Sequence, residues 1–189
     1  MAPGLDAAEA ALRRGAIVGY PTDTLYGLAV SARNRRAVER LVSAKGRAST
    51  QPISVAVASV EEIEPWVRWS TGARAFARGH LPGPYTLLVT PSERARRQLA
   101  PSIVRAAPTL GLRIPDHPIA RELARRVGPI TATSANRHGE PPARTAAGAR
   151  AALGDQVAVY LDGAPPPTGR PSVLVDLTGE DPRIRPRGR

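Results

Sequence analysis

Apolar and polar positions along this chain follow two different periods in alternation. Short, nearly continuous apolar runs at 16–20, 27–30, 53–58, 85–90, 111–114, 130–133, 157–161 and 172–177 read as strands. Between them the spacing turns helical. Asp6 can cap a helix over 7–14 that stops at Gly15, and Asn34 one over 35–44 with Ala37, Val38, Leu41 and Val42 on one face. Ser59-Val60-Glu61-Glu62 is a capping box opening a helix that Pro65 limits. Further helices are predicted near 72–79, over 117–127 behind Asp116, and behind Thr145 up to Leu153-Gly154. The arginine-rich end (Arg183, Arg185, Arg187, Arg189) reads as a solvated tail. Alternation of this kind predicts an α/β fold on a mixed sheet. With no repeat and no shift of composition, residues 1–189 are expected to form one domain.

Composition narrows the function classes. The chain has no cysteine and no apolar run near the ~20 residues of a membrane span, which excludes a disulfide scaffold and a membrane helix. The N-terminal stretch lacks the order of a signal peptide, so a soluble cytoplasmic protein is expected. The formal net charge of +11 suits an anionic ligand, phosphate-bearing or nucleic acid. The basic residues are arginines except for Lys45, and asparagine occurs only at Asn34 and Asn136. Lysine is a compact point charge and arginine a planar fork, so a lone lysine in this background marks either a position where guanidinium does not serve or an accidental surface lysine.

The chain carries no GxxxxGK[ST], no GxGxxG after a strand and no GxSxG, and His80, His117 and His138 are too scattered for a zinc site. Four other segments can do chemistry. The loop Pro21-Thr22-Asp23-Thr24-Leu25-Tyr26-Gly27 follows a predicted buried strand, where open α/β sheets bind ligands; it also satisfies the rules of an Asx or ST turn. Lys45-Gly46-Arg47 closes a helix, and its cations either answer the helix dipole or clamp an anion. Arg113 sits inside an apolar strand, where its charge needs a partner: a ligand carboxylate or a buried Asp or Glu. Thr133-Ser134-Ala135-Asn136 offers the hydroxyls, amide and backbone N–H groups that a phosphate or a purine edge requires.

In order and spacing, Tyr20-Pro21-Thr22-Asp23-Thr24-Leu25-Tyr26-Gly27-Leu28, Lys45-Gly46-Arg47, Leu81-Pro82-Gly83-Pro84-Tyr85-Thr86, Gly111-Leu112-Arg113-Ile114-Pro115 and Ser134-Ala135-Asn136 resemble the YrdC/Sua5 family, over about residues 6–187. The resemblance implies a single-domain, twisted mixed sheet with flanking helices around a basic cavity. It also implies synthesis of L-threonylcarbamoyladenylate and pyrophosphate from L-threonine, bicarbonate or CO2, and ATP with Mg2+, for the modified adenosine of tRNA. Lys45 and Arg47 then match the catalytic KxR pair. Thr24, Arg113 and Ser172 match threonine-binding positions, and Arg47, Thr109, Ser134, Asn136 and Arg185 match ATP-binding ones, with Arg187 nearly as good a match as Arg185. tRNA and a threonylcarbamoyl-transferase complex are the partners it implies, and no membrane. Gln51, Pro52-Ile53, Ala56 and Ser172-Val173-Leu174 depart from the family pattern. Two readings compete with the enzyme: a basic module binding tRNA or double-stranded RNA, and a paralogue acting on another amine.

Overall fold

The computed structural model describes residues 4–46, 51–137 and 139–186. The strands are β1 (Val18–Tyr20), β2 (Gly27–Ala29), β3 (Ser54–Ala56), β4 (Val67–Arg68), β5 (Tyr85–Pro91), β6 (Leu110–Arg113), β7 (Ile130–Ser134), β8 (Val159–Tyr160), β9 (Val173–Asp176) and β10 (Arg183–Arg185). They form one mixed sheet in the order β10-β9-β5-β6-β3-β7-β2-β1-β8, with β4 paired to β5. The helices are α1 (Leu5–Arg13), α2 (Arg35–Ala44), α3 (Val60–Ile63), α4 (Thr71–His80), α5 (Glu93–Gln98), α6 (Pro101–Val104), α7 (Pro118–Val127) and α8 (Ala146–Leu153). None of them is long and apolar enough to cross a membrane.

The two faces of the sheet are covered unequally, and this makes the cavity. One face carries Leu28, Val30, Val55, Leu87, Val89, Leu110 and Leu112, and buries them against apolar side chains of α2, α3, α4, α5, α6 and α8. The opposite face is covered by α1 and α7, which pack on Val18, Tyr20, Ala29, Ala56 and Ile130. Side chains alternate across a strand, so the residues between the leucines of β5 and β6 point to this second face. They are Thr86, Leu88, Gly111 and Arg113, with Ser54 alongside in β3 and Ala132 and Ser134 in β7. Leu88 apart, these side chains are small or polar and give little apolar surface for a third helix to bury.

The capping expected of Asn34, Ser59 and Thr145 is present: each side chain accepts the backbone N–H three residues on. Two caps differ. The first helix starts at Leu5 behind Gly4, so Asp6 lies inside the first turn, where its charge suits the dipole and pairs with Arg126 at 2.7 Å. The α7 cap is His117, not Asp116: its ring accepts Ile119 N–H at 3.2 Å. Within the arginine-rich end, Arg183–Arg185 is not a free tail but pairs with β9 as the edge strand.

His117 is fully buried, and its other ring nitrogen lies 3.0 Å from the Pro165 carbonyl. A carbonyl only accepts, so Nε2 carries the proton and Nδ1 is the bare acceptor for Ile119. Burial holds this imidazole below the ordinary histidine range, against the opposing pull of the Pro165 carbonyl. The neutral ring therefore stabilises the fold above the unfolded value of about 6.5, and that contribution is lost as pH falls toward the lower folded value. Denaturant midpoints should decline below about pH 6.5 in the native chain. In His117→Asn, which keeps a capping acceptor, this part of the decline should be absent.

Candidate active site

A cavity of about 180 Å³ opens on the thinly covered face, lined by Tyr20, Thr22, Thr24, Thr86, Arg113 and Ser134, with Ser54 and Ser172. Most of these side chains carry hydroxyls. Arg113 is the one formally charged residue among the described lining residues.

Arg113 closes β6, beside Ala56 of β3. Its Nη1 donates to Thr24 Oγ1 at 2.9 Å and its Nη2 meets Asp23 Oδ1 at 2.6 Å. Both side chains are enclosed, with 9% of the arginine and 13% of the aspartate exposed. The sequence left a ligand carboxylate and a protein carboxylate as alternative partners; here the protein supplies one, from the loop after β1. Thr22 Oγ1 donates to Leu25 O at 2.6 Å, so its only proton is committed. The 3.1 Å contact between the Thr22 and Thr24 hydroxyls must then have Thr24 as donor. Thr24 thus receives Arg113, gives its proton to Thr22, and keeps one lone pair. The loop is held from behind, where Thr168 N–H and Gly169 N–H donate to the carbonyls of Asp23 and Thr24. Tyr20, fully buried beside the ion pair, donates to Thr131 O, and burial raises its phenol far above the ordinary range.

Lys45 ends α2, and Gly46 takes φ +59°, the left-handed conformation that lets the chain leave the helix. The lysine is buried and reaches across to the turn after β7. Its ammonium donates to Ser134 O, to Asn136 O at 2.7 Å and to Asn136 Oδ1 at 3.4 Å. Ser134 Oγ donates to the same Oδ1 at 2.5 Å, and Asn136 Nδ2 donates to the carbonyls of Arg137 and Glu140. The turn is also pinned to β2, Ala135 N–H donating to Tyr26 O at 2.8 Å. Lysine's solitary nitrogen can serve acceptors that converge on one point, which a guanidinium fork cannot do.

The other predicted residues fall in different places. Ser172 lines the cavity, its Oγ 2.7 Å from Thr86 Oγ1. Thr109 is half-buried just before β6, at the opposite end of that strand from Arg113, and is not a lining residue. Arg185 lies on β10, paired with Asp176 at 2.8 Å. The Thr178 hydroxyl, ahead of Arg185, holds that carboxyl below the usual range. Arg47, His138 and Arg187 lie outside the described residues. Among the described residues no group of three His, Asp or Glu could hold a metal. Sequence reasoning did not single out Asp23 alone, Thr86 or Gly111. Gly111 was visible as a glycine inside an apolar strand, a sign of close approach. A Cβ there would lie 2.6 Å from Ser54 Oγ. Gly111→Ala should cost about 1–3 kcal/mol in a denaturant titration, because the Ser54 hydroxyl must turn away and its Cβ, at 3.2 Å, must give way to admit it.

The Sua5/YciO/YrdC family model, which carries the description "Telomere recombination", matches residues 10–188. The chain belongs to this family. It is 42% identical over 182 residues to a Mycobacterium tuberculosis protein provisionally named threonylcarbamoyl-AMP synthase, covering 96% of this chain and 82% of the relative. It is 40% identical to the threonylcarbamoyl-AMP synthase of Chromohalobacter salexigens, covering 90% of each. Among solved structures, P. abyssi Sua5 complexed with L-threonine superposes with a TM-score of 0.87 at 31% identity. That match covers 95% of this chain and 52% of the Sua5 chain, so the protein spans about half the length of this structural relative. The twisted mixed sheet with flanking helices is the fold of this family.

Proposed function

We propose that this member of the Sua5/YciO/YrdC family is an L-threonylcarbamoyladenylate synthase, a nucleotidyltransferase acting on L-threonine, bicarbonate or CO2, and ATP. Most weight rests on one observation: a guanidinium clamped by Asp23 and Thr24 shares one cavity with Ser134 of the Lys45-bound turn. A site for an amino acid and a site for a nucleotide then lie against each other on the same sheet face. The names and the threonine complex of the relatives support the same reading.

In this reaction the threonine amine adds to CO2, losing a proton, and a carbamate oxygen attacks the α-phosphorus of ATP while pyrophosphate leaves. The reactants are largely anionic, so positioning and charge stabilisation are the protein's main tasks. Arg113 binds the amino-acid carboxylate with the N–H groups that Asp23 and Thr24 leave open, and Ser172 lines the same cavity. Lys45 fixes the Ser134–Asn136 turn on the nucleotide side, and its charge sits where negative charge gathers. Arg47, Thr109 and Arg185 are assigned to the nucleotide from the family resemblance. Mg2+ arrives on the ATP polyphosphate, as part of the substrate. The product serves tRNA modification, through a threonylcarbamoyl-transferase complex.

Pyrophosphate release that requires both threonine and bicarbonate tests the proposal. Salt-sensitive RNA binding without that release would point to a binding module. Release with a different amine in place of threonine would point to a paralogue.

A further inference from the structure

Arg113, the one charged residue among the described lining residues of the cavity, is neutralised by Asp23, which pairs with it without itself lining the cavity. Arg113 and Asp23 form an enclosed pair, one positive and one negative. Each keeps an unused polar atom: Arg113 Nε and Asp23 Oδ2 are both buried and have no hydrogen-bond partner. Tyr20 stays protonated, Thr22 and Thr24 are hydroxyls, and His117 is neutral behind the loop. A buried pair with one donor and one acceptor left over is complementary to a ligand that itself carries one negative and one positive group at close spacing.

We propose that Asp23 is the specificity-determining residue for the α-amino group, making the subsite select a zwitterion over a simple carboxylate. This rests on the reading of the cavity as an amino-acid site. With Asp23 present, a bare carboxylate beside Arg113 faces the aspartate charge with nothing to offset it. An ammonium on the neighbouring carbon offsets that repulsion. If Asp23 only held Arg113 in place, its loss would weaken every carboxylate ligand to the same degree. If it sets specificity, its loss must change the ranking of ligands.

The test is isothermal titration of the full chain with L-threonine, with 3-hydroxybutanoate (the same carbon skeleton without the amine) and with threoninol (the same skeleton without the carboxylate). The native chain should bind L-threonine at least tenfold more tightly than either analogue. In Asp23→Asn the preference for L-threonine over 3-hydroxybutanoate should shrink at least tenfold. Equal weakening of both ligands in Asp23→Asn would overturn the proposal. So would a native chain that binds 3-hydroxybutanoate as tightly as L-threonine, a comparison that needs no variant to fold. A native chain that ignores threonine but binds another amino acid, with the same need for both charges, would overturn the threonine assignment and sustain this proposal. Binding of no amino acid would overturn both.

Discussion

Arg113→Met should abolish threonine-dependent pyrophosphate release and lower unfolding stability by about 3–5 kcal/mol, because it strands the Asp23 carboxylate in an enclosed site. The two effects have different origins and can be separated. Adding Asp23→Asn to Arg113→Met removes the stranded charge, so the double variant should regain most of the lost stability. It should regain none of the activity, since the guanidinium that binds the carboxylate is still missing. Chemical denaturation and a pyrophosphate assay on the native chain and three variants complete this cycle. A double variant that unfolds as easily as Arg113→Met would show that packing of the arginine stem, not its charge pairing, dominates.

Lys45 is the second position of large effect. Lys45→Met removes the donor shared by Ser134 O, Asn136 O and Asn136 Oδ1. Unsatisfied buried acceptors cost about 1–3 kcal/mol each, and a loss of about 2–4 kcal/mol is expected because the turn can relax toward water. Activity should fall at least a hundredfold, since Ser134 would no longer be held at the cavity wall. Lys45→Arg keeps the charge yet should also lose most activity, because its donors are spread over a fork. Near-native turnover in Lys45→Arg would mean that the convergence of acceptors on one nitrogen is not what the site requires.

Much of this arrangement was legible in the sequence, for reasons that can be stated residue by residue. Asn34 before an amphipathic segment places α2, and with it Lys45 at the helix end, because capping and periodicity act locally. Arg113 within an apolar strand announced a buried partner, because an unpaired guanidinium cannot be left there. What the sequence withheld depends on contacts between distant segments. Asp23 was one polar residue among several in its loop until the register of β6 brought Arg113 to it. The direction of the Thr24-to-Thr22 hydrogen bond follows only from the Leu25 carbonyl. Arg183–Arg185 looked like a solvated tail because its partner strand, β9, was needed to order it. The same holds for the caps: His117 displaced Asp116 because its ring is also held by Pro165, far along the chain.

Thr24, Arg113 and Ser134 line one cavity, and Lys45 holds the turn that carries Ser134, so the four act as parts of one site. On the proposed function, one cavity joins a threonine carbamate to AMP. The most direct measurement is mass spectrometry of the nucleotide formed by the purified chain from ATP, L-threonine and 13C-labelled bicarbonate. A product with the mass of threonylcarbamoyl-AMP, heavier by one 13C and absent from Arg113→Met, is expected. Hydrolysis of ATP that leaves no labelled carbon on the nucleotide would contradict it.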